Sequence, residues 1–144
     1  MAWPALRQPK AVESEETKKI EMQYVIVSLK NGKKLVVSSD GYHGILTAGE
    51  MYRCVFCESE MVRDIACKER HKQSLNHKKI LETHPHMEAF SDNLIRQVNT
   101  DKCYCTICNV IVSSQFMARH LSAEVHTVES QKAKSRAEAY KPYS

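Results

Sequence analysis

The stretch Tyr52-Arg53-Cys54-Val55-Phe56-Cys57, followed by His71-Lys72-Gln73-Ser74-Leu75-Asn76-His77, decides the fold. It is answered further along by Cys103-Tyr104-Cys105-Thr106-Ile107-Cys108 and by His120-Leu121-Ser122-Ala123-Glu124-Val125-His126. The chain therefore carries an internal repeat of Cys-x-x-Cys followed by His-x5-His. Two cysteines separated by two residues on a turn aim both sulfurs at one centre, and two histidines on a following helix supply the other corners of a tetrahedron. The spacer is 13 residues in the first unit (58–70) and 11 in the second (109–119), close to the 12 usual between such pairs. The unequal spacers predict strand-to-helix links of different length. The expected cofactor is a pair of structural zinc ions. One is held by Cys54, Cys57, His71 and His77, the other by Cys105, Cys108, His120 and His126.

The five residues between the histidines carry further information. Helical residues six apart differ by about 240° in azimuth and about 9 Å in rise. A straight helix cannot aim both imidazoles at one ion. The helix must bend, widen or loosen between His71 and His77, and again between His120 and His126. Neither unit has enough residues to bury an adequate core, so metal should be required for folding. The expected core is Val55, Met61, Val62, Ile65 and Leu75 in the first unit and Val110, Val112, Phe116 and Met117 in the second.

Other readings of these residues are weaker. A Cys-x-x-Cys redox pair prefers a βαβ context and has no use for the histidines. A zinc enzyme keeps an open coordination position and a nearby general base. Both units have four ligands and no His-Glu-x-x-His pattern occurs, so we expect no enzymatic activity. Cys103 is a spare thiol, Cys67 a small buried hydrophobe, and His84 and His86 are linker residues. His43, in a Gly-rich turn, carries no signal.

Composition agrees with this picture. The chain has 144 residues, of which 42% are hydrophobic but only 7% aromatic, which is thin material for one large core. No apolar run approaches a membrane span, and Met1–Lys10 holds no continuous apolar stretch. Six cysteines therefore point to metal in a reducing compartment rather than to a secreted disulfide framework. The net charge of +4 is compatible with nucleic acid without demanding it.

Outside the repeat, residues 1–20 read as a disordered tail. Residues 21–48 read as a β-hairpin. Two β-branched runs, Gln23–Leu29 and Lys34–Ser38, flank Asn31-Gly32, which suits a tight type I′ turn. A lone hairpin is marginal in water, and we expect this one to pack on the first unit (49–82). In the linker (83–101), Met87, Phe90, Leu94 and Val98 recur at helical spacing and predict a short amphipathic helix. The second unit spans 102–130, and 131–144 is a helical or disordered tail. The fold class is small α+β: two zinc-stabilised ββα units, an N-terminal β-hairpin and a connecting helix.

The pattern resembles the matrin-type zinc finger, whose relatives include the double-stranded-RNA-binding two-Cys two-His fingers and the finger of spliceosomal C proteins. The residues that carry the resemblance are Tyr52, Cys54, Cys57, His71, Ser74, His77 and Lys78 in the first unit. In the second they are Tyr104, Cys105, Cys108, Asn109, Val110, His120, Leu121, Ser122 and His126. The resemblance implies a nuclear protein that binds nucleic acid or acts as a protein adaptor. The 27 residues between His77 and Cys105 argue against fingers tracking successive base triplets. They suit two semi-independent contacts, or shape-directed binding to double-stranded RNA. RNA is thus the favoured partner over DNA. The contact candidates are Lys68, Lys72, Lys78 and Lys79 on the first helix, with Arg119 on the second. The alternative is a protein partner bound through the hairpin edge or the 87–98 helix.

Overall fold

In the computed structural model, residues 23–139 are described; the predicted 1–20 tail and the end of the 131–144 tail lie outside them. Strands β1 (Tyr24–Ser28) and β2 (Lys34–Ser38) form the expected antiparallel hairpin, with Tyr24 opposite Ser38 and Ser28 opposite Lys34. The turn is longer than a two-residue type I′ loop. Leu29 N–H bonds to Lys33 O at 2.8 Å and Gly32 N–H to Leu29 O at 3.0 Å. Only Gly32 takes positive φ there, while the Asn31 side chain instead accepts from Lys33 N–H at 2.9 Å.

Helix α1 (Ser39–His43) follows directly. The Ser38 hydroxyl caps it by accepting from Gly41 N–H, and Gly44, at φ 74°, ends it. Strands β3 (Ile45–Ala48), β4 (Met51–Cys54) and β5 (Ser59–Val62) then form a three-stranded antiparallel sheet. Helices α2 (Ile65–Gln73) and α3 (Leu75–Glu82) complete the first unit. A 3-10 segment (Glu88–Asn93) leads into the second sheet, β6 (Ile95–Gln97), β7 (Lys102–Cys105) and β8 (Val110–Ser113). A 3-10 turn (Ser114–Phe116) leads into α4 (Met117–Ser122) and α5 (Glu124–Ala139).

The fold is small α+β, and the repeat is larger than two strands and a helix. Each unit gains a leading strand, and the two leading strands are placed alike. Ile45 lies opposite Cys54, and Ile95 opposite Cys105. Val55 N–H bonds to Gly44 O at 2.9 Å, and Thr106 N–H to Leu94 O at 3.0 Å. Gly44 and Leu94 both adopt the left-handed conformation.

This arrangement corrects the connecting helix. Helical backbone between 87 and 98 is confined to the 3-10 segment, which is interrupted by Ser91 at φ 55°. Leu94 and Ile95 are buried, and Ile95 opens a strand. The apolar recurrence arises because Phe90 and Met87 pack on the second core while Leu94 turns toward the hairpin. The stripe is therefore internal rather than a docking face.

The hairpin also sits elsewhere than expected. Leu35 and Val37 pack with Leu94 and with Ala133 of α5, and Arg136 donates to Val36 O at 2.9 Å while its guanidinium lies over the Tyr24 ring. The hairpin thus rests on the second unit's last helix. Small Ala133 allows strand and helix to approach closely.

The cores of the two units correspond in part: Ile45, Tyr52 and Cys54 answer to Ile95, Cys103 and Cys105, while the methionine comes from β5 (Met61) in one and from α4 (Met117) in the other. Val55 joins a shared core, as described below. Val62, at 59% exposure, and Leu75, at 67%, are surface residues, as are Val110 and Phe116. Strand alternation explains Val62, since its neighbour Met61 takes the inward position.

The two units are joined by a common core of Val55, Phe56, Leu81 and Tyr104. Phe56 meets Tyr104 edge-on, with ring centroids 5.6 Å apart. A side chain at Gly44 would place its Cβ 2.5 Å from the Phe56 ring. Arg96 is buried at this joint. It donates to His84 O at 2.7 Å and to Tyr42 O at 3.1 Å, and lies over the Tyr42 ring at 4.9 Å. Two backbone carbonyls and an aromatic face thus take the place of water around the guanidinium, whose pKa burial lowers.

Candidate metal centres

All eight sequence-predicted ligands come together in two clusters of four. Within each, one ligand atom per residue lies within 4.8 Å of the others. The turns that present the cysteines are alike. Glu58 and Asn109, immediately after the second cysteine of each pair, adopt φ 54° and 56° and turn the chain back into β5 and β8. Cys57 N–H also donates to Cys54 Sγ at 3.4 Å.

The helix break predicted between the histidines is present in both units. Ser74 has φ −67° and ψ 146°, and Ala123 has φ −73° and ψ 149°. One extended residue ends the first helix and starts the next, so two separately directed helices present the imidazoles. Ser74 secures its break with its hydroxyl, which donates to His71 O at 2.8 Å and accepts from His77 N–H at 3.2 Å. Ala123 has no such group.

The unequal spacers arise inside the helices. The first unit has the shorter link, 63–64, but His71 comes at the seventh residue of α2. The second has the three-residue 3-10 link, and His120 comes at the fourth residue of α4. The longer spacer thus reflects a longer run of helix before the first histidine, not a longer link.

The donor geometry fits a tetrahedral ion. Cys54 and Cys57 Sγ lie 3.6 and 3.4 Å from His77 Nδ1, and Cys105 and Cys108 Sγ lie 3.6 and 3.4 Å from His126 Nδ1. Zinc–sulfur and zinc–nitrogen bonds of ordinary length at a tetrahedral angle require a separation of about 3.6 Å. The Nε2 atoms of His71 and His120 are buried with no hydrogen-bond partner among the described residues. A buried imidazole nitrogen without a partner is costly unless a metal takes its lone pair. Each cluster is thus placed to hold one metal ion.

Electrostatics within the clusters points the same way. Burial and the neighbouring His71 push His77 down to about 4, and burial lowers His71. Both are neutral at ordinary pH, the form a metal binds. Burial and then Cys54 push the Cys57 thiol up to about 12. In the second cluster the hydrogen bond from Cys108 lowers Cys105 to about 5, and Cys108 rises in response. Two adjacent thiols do not readily ionise together without a cation. A dication stabilises both thiolates at once.

Two side chains beside the clusters were not legible from sequence. His43 Nδ1 lies 3.1 Å from His77 Nε2, and Asn93 Oδ1 lies 2.8 Å from His126 Nε2. They occupy matching positions, each one residue before the left-handed residue that opens the leading strand. The upstream signal is short: a polar residue, one intervening residue and an isoleucine.

The basic residues divide. Lys68 is 6% exposed and Lys72 3%. Lys68 Nζ meets Asp40 Oδ2 at 2.9 Å, and Lys72 Nζ meets Asp40 Oδ1 at 2.7 Å, Glu69 at 3.0 Å and the Ser39 hydroxyl at 3.0 Å. Lys68 also lies over the Tyr52 ring. Burial raises the Asp40 carboxyl, but hydrogen bonds from Lys72 and Lys68 outweigh it and hold the group below its usual range. These two lysines bind α2 to α1 and, unlike the exposed position expected of a phosphate contact, are buried and paired with a carboxylate. Lys78, Lys79 and Arg119 are exposed. Among the described residues no helix is long and apolar enough to cross a membrane.

Comparisons with protein-family models, with curated proteins and with solved structures found no match.

Proposed function

We propose that the protein is a non-enzymatic, zinc-binding nucleic-acid-binding protein that prefers RNA to DNA. The carrying observation is the pair of complete Cys2His2 clusters with exposed lysines directly after a ligand histidine. A tetrahedral set of two thiolates and two imidazoles selects zinc. Four protein donors leave no position for substrate, which favours a structural role. The matrin-type resemblance supports the RNA preference and a nuclear setting.

Lys78 and Lys79 follow His77 on α3 and form no ion pair with a described residue. Arg119 is exposed on α4, and its guanidinium lies over the ring of Phe116 in the preceding 3-10 turn. These three are the proposed phosphate contacts. The shared core at Phe56 and Tyr104 makes the two units one body, which suits recognition of a duplex by shape across phosphates and 2′-hydroxyls.

The test is fluorescence anisotropy of the zinc-loaded protein with matched double-stranded RNA, single-stranded RNA and double-stranded DNA, at low and near-physiological salt. RNA-preferring binding that persists at the higher salt is expected. Absent binding, or binding that vanishes equally for all three, overturns the reading. Lys78→Glu with Lys79→Glu should weaken binding and lower the log–log salt slope by roughly one to two units, since each phosphate contact contributes about 0.7–0.9.

One observation favours a second reading, a protein adaptor. Tyr24 and Ile26 are exposed on β1, whose outer edge pairs with no described strand. An edge of this kind accepts an added strand. Such binding would be insensitive to salt and lost in Ile26→Asp.

A further inference from the structure

We propose that His43 and Asn93 are the positioning residues of the two metal centres. Each accepts a hydrogen bond from the Nε2–H of the last ligand histidine, and so commits that ring's Nδ1 to the metal. The inference rests on the reading of the two clusters as metal sites.

A neutral imidazole carries one N–H and one lone pair, and the partner of one nitrogen decides the role of the other. In the second unit the direction is settled by the side chains themselves. Asn93 Nδ2 donates to Phe90 O at 3.0 Å. That fixes the amide so that Oδ1, an acceptor only, faces His126 Nε2 at 2.8 Å. His126 must donate from Nε2, and its lone pair is left on Nδ1. That nitrogen is the one 3.4 and 3.6 Å from the two sulfurs.

The first unit repeats the arrangement with a different residue. His43 Nδ1 faces His77 Nε2 at 3.1 Å, and His77 Nδ1 faces both sulfurs. By the same logic His43 accepts through Nδ1 and keeps its own proton on Nε2. Two unlike side chains thus perform one task at equivalent positions, each at the end of a short helical segment and followed by a left-handed residue.

The preceding histidines offer the other nitrogen. His71 and His120 turn an unpartnered Nε2 into the cluster. Each centre therefore takes one Nε2 and one Nδ1. Nδ1 sits closer to the backbone than Nε2, so the two rings reach one point from different depths. That accounts for how a pair six residues apart, on two helices separated by one extended residue, serves a single ion. Groups that orient ligand histidines in this way are worth about 10–100-fold in metal affinity.

The test uses the full-length zinc-loaded protein labelled with 15N-histidine. Long-range 1H–15N correlations are expected to show His77 and His126 protonated at Nε2 with a metal-bound Nδ1, and His71 and His120 with the reverse pattern. In chelator competition, His43→Ala and Asn93→Ala should each weaken one of the two zinc sites about 10–100-fold. His43→Asn, which installs the second unit's acceptor in the first, should restore the affinity. Two zinc equivalents bound with the proton of His77 and His126 on Nδ1 would overturn the proposal while leaving the metal sites standing. Alanine variants with unchanged affinity would do the same. A chain that takes up no zinc overturns the metal reading itself, and this inference with it.

Discussion

The two units hold their four ligands in almost the same geometry but are supported in different ways. Sulfur-to-imidazole distances agree to a tenth of an ångström between them. Behind the first cluster, α2 is tied to α1 by Asp40, Lys68 and Lys72. Behind the second, Met117 packs on Ile95, Cys103 and Cys105, and α5 is covered by the hairpin. The helix break is capped by a hydroxyl in one unit and by nothing but backbone in the other. Nearly the same four-residue geometry is thus backed by charge in one unit and by apolar packing in the other.

The largest way to break the comparison is to remove a ligand. Cys54→Ser and Cys105→Ser should each lose one zinc equivalent, measured by metal analysis. Each forfeits a share of the roughly 10–16 kcal/mol that a structural zinc supplies in isolated fingers. Because the units share the core at Phe56 and Tyr104, each variant should also lower the thermal midpoint of the unit it leaves intact. Retention of two zinc equivalents in either variant would refute the ligand assignment. Excess chelator added to the wild type should abolish most far-UV circular dichroism.

A smaller effect separates the two supports. Asp40→Asn leaves the buried Lys68 ammonium without a carboxylate and Lys72 with Glu69 alone, which should cost about 3 kcal/mol in urea denaturation of the zinc-loaded protein. Met117→Ala, the counterpart on the apolar side, should cost about 2–4 kcal/mol through the cavity it leaves. The two costs should add, because the sites share no partner. A strong departure from additivity would mean that the supports communicate through the joint.

The smallest effect makes the units more alike. Ser74→Ala should cost about 1 kcal/mol by removing the cap of α3. Ala123→Ser, at nearly the same backbone angles, should gain a similar amount by capping α5. If the serine at 123 brings no gain, the second break is fixed by the metal alone.

The sequence made some of this legible and hid the rest for physical reasons. The two clusters of four could be read because holding a metal ion calls for fixed residue types at fixed spacings. The helix break followed from six-residue periodicity. The leading strands could not be read, since Ile45-Leu46-Thr47-Ala48 and Ile95-Arg96-Gln97 are too short for alternation to register. Lys68 and Lys72 read as candidate phosphate contacts because the carboxylate that binds them comes from Asp40, on an element 28 residues away in sequence from Lys68. His43 and Asn93 escaped because an acceptor of imidazole N–H has no single residue type. The hairpin was legible locally, but its resting place depends on Ala133 and Arg136 of α5, near the far end of the chain.

Arg96 has a topological consequence. The two carbonyls it grips, of Tyr42 and His84, belong to the segments by which the chain enters and leaves the first unit. One guanidinium on β6 thus staples both ends of that unit together. The entropy of closing the intervening loop is met once, at a single point on its neighbour. The first unit therefore has the layout of an insertable cassette, with its two ends adjacent and its register set by the host. A sequence exchanged for it would need the same end separation and side chains that replace Val55, Phe56 and Leu81 against Tyr104.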